Sequence, residues 1–193
     1  MITSIDLLKE VRAITEENLK LVRGKFSKLS AKQLQWRPNE SSWNIQEVFA
    51  HLNQYANYYH NVFRKGIEKT RFTTNKENFV SSPLGRSAWK SMKLGRAQNV
   101  KRKFKAPKAY NPRMDESLLS EDDVALFETN QVELKEIFEL ASQVNLRRVK
   151  VPISISKIVR LRLGDALLFV VYHNERHVQQ ALNVMNHPAF PKK

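Results

Sequence analysis

The chain of 193 residues contains no cysteine and only five glycines. Without cysteine there is no disulfide, no thiolate metal ligand and no cysteine nucleophile. That absence also matches a reducing, cytoplasmic compartment. So few glycines disfavour the many tight turns of an all-β fold and suit helices. Long apolar runs are missing as well. The longest, Ala166 to Tyr172, falls far short of the ~20 residues that span a bilayer, so no membrane partner is expected. The first residues, Met1 to Asp6, carry an acid early and lack the apolar core of a signal peptide. Acids are scarce too: 19 Asp and Glu stand against 33 Lys and Arg, a net charge of +14. Such an excess attracts polyanions without specificity and does not bear on the fold.

What is present reads as one globular domain over residues 1–193, since hydrophobic residues reach 41% and charged residues 27%. Four helical patterns carry the apolar residues. The first runs from about Ser4 to Leu29, with Leu7, Leu8, Val11, Ile14, Leu21, Val22 and Phe26 near a period of 3.6. Residues Ser30 to Ser42 read as a loop. A second helix starts at Asn44, with Glu47 completing a capping-box pattern, and extends to about Lys69. A long basic connection follows, with a short helix over Ser87 to Gly95. Ser120 is positioned to cap the third helix, where Glu121, Asp122 and Asp123 suit the positive end of the dipole. Residues Leu146 to Ser156 read as irregular. The fourth helix spans Leu163 or Gly164 to Met185. The expectation is an all-α four-helix bundle with a long basic crossover between helices 2 and 3. Such bundles build metal sites from side chains on facing helices.

The histidines suggest such a site. His173 and His177 have the i,i+4 spacing that places two side chains on one helix face, about 5–6 Å apart at Cβ. His51 lies in the second helical pattern among Val48, Phe49, Leu52 and Tyr55. If the two helices pack together, three neutral imidazoles can meet one divalent cation and leave a coordination position open. A metal-free alternative is an interior histidine pair that is neutral and hydrogen-bonded. His60 is nine residues from His51, so it faces the other way and reads as a surface residue. His187 reads as a cap or tail residue.

The stretch Leu34-Gln35-Trp36-Arg37-Pro38, then Ser41-Ser42-Trp43-Asn44-Ile45-Gln46-Glu47-Val48 and His51-Leu52, resembles the second-helix signature of the DinB/YfiT-like family. The segment His173-Asn174-Glu175-Arg176-His177-Val178-Gln179-Gln180-Ala181 resembles its closing segment. The resemblance implies a four-helix bundle, often a homodimer, with a divalent metal ion held by His51, His173 and His177. It also implies a small-molecule substrate. Some members of that family are transferases that use a low-molecular-weight thiol, bacillithiol or mycothiol. Others are described as metal-dependent hydrolases.

Three further residues are candidates for catalysis. Glu47, one turn before His51, can orient a ligand or act as a base, or it can simply complete the cap. Gln180, three residues after His177, can hydrogen-bond near the site or be solvated. Arg176 can bind an anionic substrate or thiol, or lie on the surface. Trp43 reads as a packing residue ahead of the second helix. Imidazole ligands suit Zn, Ni, Fe or Cu, with Zn and Ni the leading choices. The expected function is metal-dependent, thiol S-transferase-like or hydrolase-like. The alternatives are a bundle with a vestigial metal site and a module that binds a polyanion. For the latter, ten Lys and Arg fall between residues 84 and 113, including Lys101, Arg102 and Lys103, with Trp89, Phe104 and Tyr110 among them. Cations with interleaved aromatics can hold phosphates and stack bases. No nucleic-acid fold signature accompanies them, so nucleic acid is the less favoured partner.

Overall fold

A computed structural model describes residues 2–74, 78–95 and 104–192. In chain order the elements are β1 (Ile2–Thr3), α1 (Ser4–Gly24), α2 (Ala31–Gln35), α3 (Ile45–Glu68), β2 (Asn78–Phe79), α4 (Pro83–Met92), α5 (Asp123–Ser142), β3 (Lys150–Ile153), β4 (Ser156–Arg162) and α6 (Leu163–Met185). The long helices α1, α3, α5 and α6 form the bundle. α1 packs against α5 and α6, and α3 packs against the same two helices. α1 and α3 therefore occupy opposite corners. The short α4 lies along α6. The all-α expectation holds, with two small antiparallel pairs, β1–β2 and β3–β4, added outside the bundle. Among the described residues, no helix is long and apolar enough to cross a membrane.

Local chemistry explains most of the boundaries. Thr3 caps α1 by accepting from the Asp6 amide at 3.0 Å. Asn44 accepts from the Glu47 amide at 2.7 Å, and Glu47 Oε2 accepts from the Asn44 amide at 2.8 Å. This closes the expected capping box of α3. The first amides of α6 are satisfied by backbone: Leu163 donates to Val149 at 2.9 Å and Gly164 to Leu146 at 3.1 Å.

Several expectations need correction. The first helix ends at Gly24, and a separate 3₁₀ turn over Phe26–Lys28 follows. The supposed loop of Ser30 to Ser42 contains α2, started by a second capping box between Ser30 and Gln33. The short helix of the crossover begins at Pro83 with Ser82 as its cap, where proline at the first position needs no amide partner. Ser120 does not cap the third helix. Asp122 occupies the cap position without a side-chain bond, and Asp123 Oδ2 instead accepts from the Ser120 amide at 2.9 Å. Residues 146–156 are not irregular throughout, because Lys150–Ile153 pairs with Ser156–Arg162 as a hairpin. In the basic crossover, Arg96, Lys101, Arg102 and Lys103 lie outside the described residues.

The core has two apolar halves. One gathers Leu7, Val11, Tyr59, Phe63, Phe138 and Leu167; the other gathers Val22, Phe26, Phe49, Phe127, Val178 and Ala181. At the level between them the helices bury polar side chains: His51 and Asn53 on α3, Asn130 and Gln131 on α5, and His173 and Asn174 on α6. Several are paired across helices. Asn130 Nδ2 donates to Asn53 Oδ1 at 3.0 Å, and Asn53 Nδ2 donates to the Asp123 carbonyl at 3.0 Å.

His60 is also buried, contrary to its reading as a surface residue. The face opposite His51 is covered by α5. There His60 Nδ1 lies 2.9 Å from Glu133 Oε2, and Arg64 Nε donates to Glu133 Oε1 at 3.0 Å. Burial pushes the His60 pKa below its ordinary value; Glu133 opposes the shift and the Arg64 charge adds to it. A histidine with a depressed folded pKa is protonated first in the unfolded chain. Its contribution to stability is present above the unfolded pKa of about 6.5 and is lost as pH falls below it. Urea unfolding is therefore expected to show stability falling from about pH 7.5 to about pH 5, with a shallower fall in His60→Gln. An unchanged slope in that variant would remove His60 from the acid limb.

Candidate metal centre

The site forms where α3 meets α6. The capping box starts α3 at Ile45, and a turn and a half later His51 points inward, 2% exposed. On α6, His173 is buried and His177 is half-buried. The three residues each offer a ligand atom, and these atoms lie within 4.8 Å of one another. His51 Nε2 and His173 Nε2 are 3.3 Å apart. Two ligand nitrogens at about 2.05 Å from a tetrahedral zinc are separated by about 3.3 Å.

Hydrogen bonds select the tautomers. The Tyr110 carbonyl accepts from His51 Nδ1. A carbonyl only accepts, so the proton is on Nδ1 and Nε2 keeps its lone pair. Gln180 Oε1 accepts from His177 Nδ1 at 2.9 Å, which leaves the His177 Nε2 lone pair free in the same way. Oxygen acceptors on the distal nitrogen are what metal-binding imidazoles commonly have. Among the described residues, His173 Nδ1 is buried without a hydrogen-bond partner.

All three rings are neutral at pH 7. Burial pushes His51 down to about 4, against the opposing influence of the Tyr110 carbonyl. His173 and His177 lie well below the usual histidine range, first through burial, then through neighbouring histidines and the Arg176 charge. Neutral imidazoles are the form that ligates metals. The donor set, its protonation and its shortest nitrogen separation thus all fit a divalent cation.

Aromatic rings wall the cluster. Trp43 is 4.9 Å from His51 and stacks on His177 at 6.0 Å. Tyr55 stacks on His173 at 4.3 Å, and Phe169 does so at 5.8 Å. Tyr110 lies 4.7 Å from Tyr55. Burial, with smaller influences from neighbouring tyrosines, pushes the Tyr55 hydroxyl up to about 12, so it remains protonated. His177 is the least buried member of the cluster.

The three other candidates fall in different places. Gln180 reaches the cluster through His177. Arg176 is buried, with its guanidinium carbon 5.5 Å from the centre of the Phe104 ring. It is no surface arginine, and its charge is felt by His173 and His177. Glu47 makes the contacts of a cap. Its Oε2 takes the Asn44 amide, and its Oε1 takes Arg37 Nη2 at 3.0 Å with Arg113 Nε 4.0 Å away. Sequence reasoning took Tyr55 as a packing neighbour of His51 and Tyr110 as an aromatic of the basic crossover, did not single out Phe169, and assigned none of the three to the cluster. Tyr55 and Phe169 were findable, each lying four residues from a histidine of the cluster. Tyr110 acts through its backbone carbonyl, which no side-chain pattern reveals. Trp43 packs among apolar residues, as expected, and also covers two of the histidines.

The profile of the DinB superfamily matches residues 14–181. No curated protein and no solved structure matches the chain. The matched span includes His51, His173 and His177, with all of α3 and most of α6, and the chain belongs to the DinB superfamily.

Proposed function

We propose that this chain is a metal-dependent enzyme in which His51, His173 and His177 hold a divalent cation, zinc or nickel. Its reaction is attack by a low-molecular-weight thiol, or by water, on a small electrophilic substrate. The observation that carries this reading is the pair of distal acceptors, the Tyr110 carbonyl and Gln180 Oε1. They fix the proton of two imidazoles on Nδ1, and burial keeps the rings neutral, so their Nε2 lone pairs are available. A cation bound by three neutral imidazoles retains its full charge and lowers the pKa of a coordinated thiol or water.

The chain's own residues set the conditions. Gln180 is a positioning residue that holds the proton on His177 Nδ1, and Tyr110 does the same for His51. Trp43, Tyr55 and Phe169 exclude bulk water and keep the local dielectric low, which strengthens every charge interaction inside. Arg176 places a positive charge beside His173 and His177, suited to an anionic thiol or substrate. Glu47 ties the start of α3 to Arg37 and brings Arg113 of the crossover close. In the reaction the nucleophile's sulfur or oxygen bonds to the electrophilic carbon. The leaving group departs with its bonding pair, and the nucleophile's proton passes to solvent.

Two measurements test this reading. In a chelator competition titration, Gln180→Ala is expected to weaken zinc binding about tenfold while circular dichroism shows an unchanged helical fold. Unchanged affinity would mean that Gln180 does not position the ligand. Zinc- or nickel-loaded protein is then assayed with small thiols against chlorodinitrobenzene, and with water against activated esters. Turnover is expected in one of the two, with loss to background in His173→Ala. Equal turnover in that variant would place the chemistry elsewhere.

A further inference from the structure

A cavity of about 440 Å³ lies between the C-terminal half of α3 and the β3–β4 hairpin. Its floor is apolar, formed by Val62, Gly66, Val149, Val151 and Phe72. Gly66 lets the hairpin approach, since a Cβ there would meet Val151 Cγ1 at 2.8 Å. Five cationic side chains line it, Lys65, Lys69, Arg148, Lys150 and Arg160, and among the described residues no acidic side chain does. Among the described residues none of the five has an acidic partner within ion-pairing distance.

Helix electrostatics account for only part of this. Lys65 and Lys69 suit the negative end of the α3 dipole. Arg148, Lys150 and Arg160 come from the other wall and have no such role. The hairpin register also sets Lys150 directly opposite Arg162, and like charges facing each other across strands are destabilising. Arg148 lies 5.0 Å over the Phe72 ring, which holds its guanidinium at the cavity wall. Five guanidinium and ammonium side chains lining an apolar floor, in a volume of this size, match a small anionic molecule.

We propose that this cavity binds a small phosphorylated molecule with an apolar body. The phosphate meets the five cations, and the body covers the valine floor. The site is separate from the histidine cluster: Lys65 is 14 residues beyond His51 on the same helix, about 21 Å along its axis. The inference therefore does not depend on the metal reading.

The test is an NMR titration of the isotope-labelled full chain with three probes: phenyl phosphate, inorganic phosphate and phenol. Phenyl phosphate is expected to saturate, with shifts confined to the walls of this cavity and an affinity that falls as salt rises to about 0.5 M. Inorganic phosphate is expected to bind at least about tenfold more weakly, and phenol more weakly still. The double variant Lys69→Gln with Arg160→Gln changes two exposed residues and is expected to weaken phenyl phosphate by about tenfold. Lys65→Glu is the second variant, expected to abolish saturation. The proposal is overturned if no phosphate probe saturates, or if both variants bind as the wild type does. Equal binding of inorganic and phenyl phosphate also overturns it, because the apolar floor would then contribute nothing. A nucleic-acid duplex that shifts these residues where phenyl phosphate does not would overturn it in favour of a polyanion surface.

Discussion

The contact between α3 and α6 places His51 Nε2 and His173 Nε2 3.3 Å apart inside an aromatic shell. Much of the rest of the structure is arranged around that contact. A charged imidazole there would be strongly disfavoured by desolvation, so the rings must be neutral. A neutral ring has one donor nitrogen and one acceptor nitrogen, and burial makes an unmatched one costly. The Tyr110 carbonyl and Gln180 Oε1 meet this demand for His51 and His177. The same buried level carries Asn53, Asn130, Asn174 and Gln131, joined in pairs across α3, α5 and α6. A polar band between two apolar halves is less stabilising than a continuous apolar core. Its hydrogen bonds set the register of the helices, and that register determines whether the histidines meet.

The additions to the bundle act on the same place. The crossover between α3 and α5 returns across the site and supplies the Tyr110 carbonyl. Its Arg113 approaches Glu47, which caps α3. The hairpin is tied to α3 by tyrosines: Tyr58 donates to the Ile153 carbonyl at 2.8 Å, and the Ser154 amide donates to Tyr59 Oη at 3.4 Å. Tyr110 Oη reaches the Ser154 carbonyl at 3.5 Å. The crossover is thus braced by the hairpin on one side while its backbone orients His51 on the other. The hairpin has a second consequence, because its outer cations face the C-terminal half of α3 and form the basic cavity there.

The long helices were legible because their apolar residues recur at helical spacing and their ends carry caps. Asn44 and Glu47 behave as their spacing implies. The three histidines were legible for a related reason: i,i+4 spacing on α6 and an apolar neighbourhood on α3. Other features depend on tertiary context. His60 looked like a surface residue beside Asn61 and Arg64, yet α5 covers it and Glu133 meets it. The β3–β4 pair does alternate, with Val151 and Leu161 buried beside exposed Lys150 and Arg160, but Pro152 within the segment favoured an irregular reading. Ser120 has the chemistry of a cap, but the carboxylate of Asp123 takes its amide instead. Arg176 has a sequence setting like that of any solvated arginine, and only the folded chain shows that it is buried.

The central claim is that His51, His173 and His177 form one metal site. Elemental analysis of the purified, untagged protein tests it most directly, with His51→Ala and His177→Ala measured alongside. The account predicts near-stoichiometric zinc or nickel in the wild type and loss of that metal in both variants, each retaining its helical circular dichroism. Wild-type protein that takes up neither metal when both are supplied, or variants that hold as much as the wild type, would contradict it.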